Sequence, residues 1–240
     1  MIRSTDNTFS TLSSLAGSIH SCQQCPRLRD HCLNIARIKK RSHLTEHYWG
    51  KPISGFGDPS ARLIIVGLAP AAHGANRTGR IFTGDRSGEW LYRALHRAGF
   101  ANQSTSINRE DGLALNDAYV TCIVKCAPPE NKPLPDEQKN CSGFLAQEIK
   151  LLKQAKVWIA LGQIGLNGLW PLLQPGKPRP PFGHGTVIQL DSTSRSGNWL
   201  LLSYHPSQQN TFTKRLTEPM FDSVFAMARK TLTSRPGTIS

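Results

Sequence analysis

Three polar side chains that can act on a substrate each follow an apolar run of the chain. Asp85 ends the segment that starts at Gly67, directly after the apolar residues 63–66. Asn131 lies in a proline-rich segment after a second apolar run, and His205 follows a third. A carboxylate, an amide and an imidazole can position water, move a proton and donate to developing negative charge. These residues are therefore our candidates for hydrolytic chemistry.

Each of these residues also has an ordinary structural interpretation. An asparagine beside prolines, such as Asn131, commonly forms a turn. A lone histidine such as His205 is more often structural than catalytic. The residues alone leave both interpretations open.

The segment from Gly67 to Asp85 (GLAPAAHGANRTGRIFTGD) has the composition of a ligand-binding loop. Its glycines allow backbone to approach a ligand closely and to adopt positive φ. Phe82 offers a flat apolar face, while Arg77 and Arg80 add positive charge. The segment predicts a flat ligand that is polar, anionic or phosphate-bearing.

Four of the six cysteines form two pairs, Cys22 with Cys25 and Cys126 with Cys141. Four thiolates suffice for one tetrahedral zinc site or one iron–sulfur cluster, and spacing does not choose between them. A C-x-x-C pair can also be a redox dithiol, but this one does not follow a strand of a βαβ unit. Cys122 is expected in the core, and Cys32 is left without a role.

The chain is strongly basic, with a net charge of +13 and a pI near 9.8. This charge favours a polyanionic partner, although a basic surface kept for solubility is the alternative. The basic segment from His31 to Tyr48 is either a phosphate-contacting helix or an exposed helix face. No apolar run reaches the ~18 residues of a membrane helix, and no secretory leader is evident. We expect a cytoplasmic protein without a membrane partner, associated with the nucleoid if bacterial.

Apolar runs and helical periodicity alternate along the chain, which indicates an α/β fold. We predict a single domain over residues 1–240, with residues 1–20 partly flexible and 234–240 a loose tail. The predicted strands are Leu63–Val66, Tyr119–Lys125, Val157–Leu161, Thr186–Leu190 and Trp199–Ser203. The predicted helices cover about 12–19, 87–99, 136–153, 162–173 and 216–230, and Gly55–Asp58 is predicted as loop. Loops that follow parallel strands meet at one sheet edge, where ligands usually bind.

Three motifs resemble those of the family 5 (type B) uracil-DNA glycosylases, and together they cover most of the chain. They are the segment from Gly67 to Asp85, the W-x-x-P-x-x-G-F-G-D sequence from Trp49, and H-P-S-x-Q-N-T from His205. The resemblance implies a three-layer α/β/α sandwich around a central, mainly parallel four-stranded sheet. One departure is Lys214, after the H-P-S-x-Q-N-T motif, where the family pattern has a glycine.

The resemblance also implies a role for each site residue. Asp85, Asn131 and His205 would be catalytic, and Gly67, Ala69, Phe82 and Asn210 would bind the base. DNA contacts are expected from Arg77, Arg80, Lys132, Gln208, Gln209 and Arg215, with Gln208 to Asn210 as a wedge in the duplex. A [4Fe–4S] cluster would sit on Cys22, Cys25, Cys126 and Cys141 and clamp the N-terminal segment to the domain.

The expected function is that of a monomeric, monofunctional DNA glycosylase that flips and excises uracil and initiates base excision repair. The apolar residues Leu68 to Ala71 imply a pocket that also admits hypoxanthine and xanthine. The alternative is a non-catalytic metal-cluster module that binds nucleic acid. A dinucleotide-binding enzyme is disfavoured because the G-x-G-x-x-G spacing is absent.

Overall fold

The computed structural model describes residues 9–191 and 198–233. Its strands are β1 (Phe56–Gly57), β2 (Leu63–Gly67), β3 (Ala118–Cys122), β4 (Val157–Leu161), β5 (Val187–Gln189) and β6 (Trp199–Ser203). Its α-helices are α1 (Leu12–His20), α2 (Pro26–Ile38), α3 (Ala75–Thr78), α4 (Arg86–Arg97), α5 (Pro135–Leu151), α6 (Gly162–Leu173), α7 (Gln208–Phe212) and α8 (Glu218–Thr233). The predicted serine-rich hairpin, the C-terminal tail and residues 1–8 of the predicted flexible start (residues 1–20) lie outside the described residues.

The strands form one sheet in the order β1-β3-β2-β4-β6-β5. The four central strands, β3, β2, β4 and β6, are parallel to one another, as predicted. The short strands β1 and β5 pair antiparallel at the two edges, so the sheet has six strands rather than four. The sequence predicted a loop at Phe56–Gly57, because two residues are too few to show the alternation of a strand.

Every residue of β2, β3 and β4 is buried, which explains why these strands appear in the sequence as continuous apolar runs. Successive side chains point to opposite faces, so Leu63 and Ile65 enter one core while Ile64 and Val66 enter the other. Each face of the sheet therefore carries its own apolar core.

Helices cover both cores. Residues of α4 and α8, such as Leu91 and Phe225, pack on one face. Residues of α2, α5 and α6, such as Leu28, Leu145 and Leu166, pack on the other. The three-layer α/β/α sandwich is thus confirmed. Within the two described stretches, no helix has the length and apolar character needed to cross a bilayer.

The strand order places a topological switch point above β2. The chain leaves β2 for β3 on one side and then crosses to β4 on the other, so loops at this edge diverge. Such a crevice is the usual ligand site of open α/β sheets. The loops after β2, β3, β4 and β6 all begin at this edge.

One strand end and two short helices differ from the sequence prediction. The predicted strand Tyr119–Lys125 corresponds to β3, which ends at Cys122. Beyond that end, the Ile123 N–H donates to the carbonyl of Gly67, the last residue of β2, and the Val124 N–H donates to the Leu68 carbonyl in the following loop. The short helices α3 and α7 were not predicted. With four and five residues, they are too short for a helical period to be visible.

Candidate active site and metal centre

A cleft of about 700 Å³ opens at the carboxyl edge of the sheet. Its volume is in the range of pockets that enclose small organic ligands. Among the predicted site residues, it is lined by Ala69, Phe82, Asp85, Asn131, His205, Gln208 and Gln209. The structure therefore brings the three candidate catalytic side chains into one cavity.

Asp85 is held in place from two sides. It is the N-cap of α4, where its Oδ1 accepts the backbone N–H of Gly88 at 3.0 Å. Gly74 packs so closely that a Cβ there would lie 1.9 Å from Oδ2 of Asp85. Burial raises the pKa of Asp85, although N–H groups of the first helical turn favour its charged form. A carboxylate with a raised pKa is a better proton acceptor.

Phe82 and His205 form one wall of the cleft. Their ring centroids are 5.9 Å apart with an interplanar angle of 32°. Phe82 has a left-handed backbone (φ 52°), an unusual conformation for a bulky residue that often marks a functional site. Gly67 lies behind the ring, and a Cβ there would come within 2.8 Å of it. Gly67 thus leaves room for the Phe82 ring to pack against the backbone, and it does not itself line the cleft.

His205 is neutral at physiological pH. Burial lowers the pKa of its imidazole to about 4. Neither ring nitrogen forms a hydrogen bond with residues 9–191 or 198–233, so both are free for a ligand. The His205 carbonyl accepts from the Ser207 N–H at 2.8 Å and the Asn210 side-chain amide at 2.9 Å, which fixes the loop.

Asn131 lies at the mouth of the cleft. It ends a single 3-10 turn, Pro129–Asn131, in which both Glu130 and Asn131 have positive φ. Its side-chain amide has no hydrogen-bond partner in the part of the chain that the structure describes. An amide presented in this way can orient a water or contact a substrate.

Several lining residues were missed by the sequence analysis. Arg86 and Ser87 begin α4, Gln163 and Ile164 begin α6, and Glu130 precedes Asn131. Gln163 and Ile164 come directly after the predicted strand β4, so the strand-end rule that identified the other loops also identifies this one. Arg86 also stacks on the exposed ring of Phe212, with its guanidinium carbon 4.8 Å from the centroid.

The predicted base-binding residue Asn210 does not line the cleft. Its side chain is directed at the His205 carbonyl instead, so it positions the histidine. Lys214, which replaces the expected glycine, has a φ of 57°. This left-handed conformation is the physical reason that a glycine suits the position.

Arg77 and Arg80 are not placed to contact phosphate. Arg77 is buried, pairs with Glu46, and donates to the carbonyls of His73 and Gly84. Arg80 is 4% exposed and pairs with Asp111 at 2.7 Å. Burial alone would raise the pKa of Asp111, but Arg80 and backbone N–H groups hold it at about 2. Both arginines fasten the loop that carries Asp85.

The other predicted DNA contacts are on the surface. Gln208 and Gln209 are exposed at the cleft, on the first turn of α7. The Lys132 side chain is 81% exposed, and Arg215 is exposed with its guanidinium over the Tyr204 ring. These positions are compatible with contacts to a polyanion.

The four predicted metal-binding cysteines converge on a second, much smaller space. Cys22, Cys25, Cys126 and Cys141 all line it, together with Arg29. Within the described ranges, no three cysteine, histidine or carboxylate side chains have the geometry of a metal site. Burial raises the pKa of Cys22 and Cys25, and raises that of Cys141 to about 12. A metal that binds here must therefore displace their protons.

Two features of this space fit an anionic metal centre. N–H groups already point at its sulfur atoms, from Lys125 to Cys141 at 3.5 Å and from Asn140 to Cys25 at 3.6 Å. In addition, two N–H positions of the buried Arg29 guanidinium have no partner among the described residues. Such donors commonly surround metal-bound thiolates.

Comparison with known proteins agrees with this geometry. Residues 54–229 match the model of the Uracil DNA glycosylase superfamily. The chain is 46% identical to the Type-5 uracil-DNA glycosylase of Mycobacterium leprae, over 92% of this chain and 95% of that protein. It is 44% identical to the protein of that name from Thermus thermophilus, over 89% of this chain and 94% of that protein. The chain therefore belongs to the uracil-DNA glycosylase superfamily.

Proposed function

We propose that this protein is a monofunctional DNA glycosylase that excises uracil from DNA by hydrolysing the N-glycosidic bond, which initiates base excision repair. The observation that carries the proposal is the convergence of Asp85, Asn131 and His205 on one cleft beside Phe82. The relatives, which are named type-5 uracil-DNA glycosylases and cover most of the chain, support the same activity.

The cleft suits a base that has left the DNA stack. Extruding a nucleotide costs a few kcal/mol, least for a mispaired base such as uracil opposite guanine. Phe82 offers its ring to the extruded base, and stacking of this kind contributes about 1–3 kcal/mol. Because the backbone of Phe82 and its support at Gly67 are fixed, little ordering is required when the base arrives.

Each of the three polar side chains has a separate role in the reaction. As the bond to the sugar breaks, negative charge develops on the base and positive charge on the sugar. Neutral His205 donates a hydrogen bond to the base oxygen, and a donor aimed at such charge is worth about 3–4 kcal/mol. The Asp85 carboxylate activates the water and stabilises the sugar cation, while the free amide of Asn131 orients that water.

The range of bases extends beyond uracil in this proposal. Leu68, Ala69, Pro70 and Ala71 form an apolar wall of the cleft, which offers no polar side chain to reject a larger base. Hypoxanthine and xanthine should therefore also be excised. Relative rates on duplexes that carry each deaminated base test this point.

We further propose that the whole chain acts as one monomeric domain on DNA, in the cytoplasm and at the nucleoid if the source is bacterial. Lys132 and Arg215 contact phosphate, and Gln208 and Gln209 enter the space left by the flipped nucleotide. The segment before residue 54 belongs to the domain because α2 packs into the core on one face of the sheet.

The four converging cysteines would hold a [4Fe–4S] cluster, which supplies a structural crosslink when bound. Cys22 and Cys25 precede the start of α2, whereas Cys126 and Cys141 belong to the loop after β3 and to α5. Arg27 and Glu137 already join α2 to α5 by a two-pronged ion pair at 2.8 Å. Iron and sulfide analysis tests the cluster, and one bound zinc without absorbance near 400 nm would contradict it.

The activity is tested with a duplex that contains a single uracil, followed by alkali and analysis of strand scission. We expect cleavage at the uracil by the wild-type protein. Replacing Asp85 by asparagine keeps the size of the side chain and should slow excision by at least about 10²-fold without loss of fold. A protein that binds this duplex but leaves the base in place would favour the non-catalytic nucleic-acid-binding module.

A further inference from the structure

Arg29 is a buried cation with unused hydrogen-bond donors. It lies on α2 and is 5% exposed. Its Nη2 donates to the Gly50 carbonyl at 2.9 Å, but Nε and Nη1 have no partner among the described residues. A buried charge left without a partner is strongly destabilising. Arg29 therefore requires an anion at this place in the fold.

The side chains around Arg29 indicate which kind of anion could bind there. Arg29 lines the small space between the four paired cysteines, and no carboxylate of the described residues lines the same space. The other cation there, Lys125, is already paired with Glu148 at 2.7 Å. Among the described side chains that line this space, the cysteine sulfurs are the ones that can carry negative charge.

We propose that Arg29 is the counter-ion of the metal cluster, with its Nε and Nη1 groups donating to cluster-bound sulfur. This inference rests on the cluster assigned to Cys22, Cys25, Cys126 and Cys141 under the proposed function. Four cysteinates around an iron–sulfur core carry net negative charge, and the guanidinium offsets part of it. Arg29 is a positioning residue, since it acts on the cluster and not on the DNA substrate.

Two consequences distinguish this role from a purely structural one. A nearby positive charge favours the reduced, more negative state of a cluster, so loss of Arg29 should lower its reduction potential. Loss of a group that supports metal ligands typically lowers metal affinity by 10–100-fold. An arginine that merely holds the Gly50 carbonyl would affect neither property.

The test uses the holoprotein, prepared anaerobically as wild type, Arg29→Gln, Arg29→Lys and Arg37→Gln. Arg37 is the matched control, because it is an exposed arginine on the same helix. The readouts are iron and sulfide content, the rate at which absorbance near 400 nm is lost to a chelator, and the midpoint potential. We expect Arg29→Gln to lose the cluster about 10-fold faster and to have a lower potential. Arg29→Lys should be intermediate in its rate of cluster loss, and Arg37→Gln should match the wild type.

Wild-type rates and potential in a folded Arg29→Gln protein would overturn the proposal. If Arg29→Gln does not fold, Arg29→Lys decides, because it keeps the charge but loses the planar fork of donors. Wild-type retention of the cluster in that variant would equally overturn the proposal, whereas its potential should stay near that of the wild type because the charge is kept. Wild-type protein that contains zinc or no metal would instead refute the cluster itself, so the two failures are distinguishable.

Discussion

The protonation states of His205 and Asp85 predict how excision depends on pH. Burial lowers the pKa of His205 to about 4, so this group stays neutral across the physiological range. Burial raises the pKa of Asp85 above that of an exposed aspartate, so falling pH protonates this carboxylate earlier than it would an exposed one. We expect single-turnover rates without a histidine titration near the ordinary pKa of about 6.5, and a loss of rate with falling pH as the Asp85 carboxylate is protonated. A half-maximal rate near pH 6.5 that disappears in His205→Asn would contradict this.

Folding must be monitored in the same experiment. Because the pKa of His205 is lower in the folded protein, the unfolded chain binds an extra proton between about pH 6.5 and about pH 4. Stability therefore decreases as pH falls through that window. Thermal unfolding at each pH separates this loss from the loss of catalysis.

Single residues show where inference from sequence succeeds and where it fails. Asp85 and His205 became candidates because their loops follow apolar runs, which a sequence reveals, and the resemblance to the glycosylase family then implied their roles. Arg77 and Arg80 were misassigned as phosphate contacts, because their partners Glu46 and Asp111 each lie 31 residues away in the chain. A sequence shows which residues are charged, but it does not show which of them are neutralised by an ion pair with a residue far away in the chain.

At the scale of elements, the loop after β2 predicts a strong effect of one methyl group. A Cβ at Gly74 would lie 1.9 Å from Oδ2 and 2.7 Å from Cγ of Asp85, so the carboxylate must move. Displacement of a catalytic group by about 1 Å can cost about 10²-fold in rate. We expect Gly74→Ala to reduce excision by that order while its melting temperature changes little.

The matched control for this change is Gly143→Ala on α5, where a Cβ has no atom within 4 Å. That variant should keep full activity and gain about 0.5–1 kcal/mol in helix stability. Wild-type excision by Gly74→Ala would show that the position of Asp85 is not critical.

A buried ion pair between the loop after β3 and α5 gives a prediction about stability. Nζ of Lys125 lies 2.7 Å from Oε2 of Glu148, both side chains are 1% exposed, and Thr121 bonds to each. Removing one partner of such a pair costs about 3–5 kcal/mol, because it leaves an uncompensated buried charge. We expect Lys125→Met to lose this amount in urea unfolding, and Lys125→Met with Glu148→Leu to lose less.

Lys150→Met on the exposed face of α5 should leave the free energy of unfolding within about 0.5 kcal/mol of wild type. A double variant as unstable as the sum of the two single variants would mean that the ion pair is not coupled. The pair also shows a limit of sequence analysis, since Lys125 was taken as the end of a strand. Lys125 can be buried because its charge is paired with Glu148, 23 residues later in the chain. Glu148 lies on α5, and the sequence did not show which face of that helix packs against the sheet.

At the scale of the whole molecule, the α/β/α layers and the convergence of the loops at one sheet edge were predictable. Alternating strands and helices can be connected in few ways, and those ways give a parallel sheet with helices on both faces. The strand order was not predictable. Nothing in the sequence places β4 beside β2 and β1 beside β3, so the switch point above β2 required the structure. The strand-end rule reaches the cleft residues Gln163 and Ile164, but the strand order that places them beside the loop after β2 could not be predicted.

The distribution of free and paired arginines predicts how DNA affinity responds to salt. Each phosphate neutralised by a free cation adds about 0.9 to the slope of log affinity against log salt. Arg215 is exposed beside the cleft loop, so Arg215→Gln should reduce that slope by about 1. Arg80 already forms an ion pair with Asp111, so Arg80→Gln should leave the slope unchanged and lower the free energy of unfolding instead. Dissociation constants for one duplex, measured at several salt concentrations from about 50 to about 300 mM, give the slope for each variant and check both expectations. Equal loss of slope in the two variants would mean that Arg80 leaves its ion pair to reach the DNA.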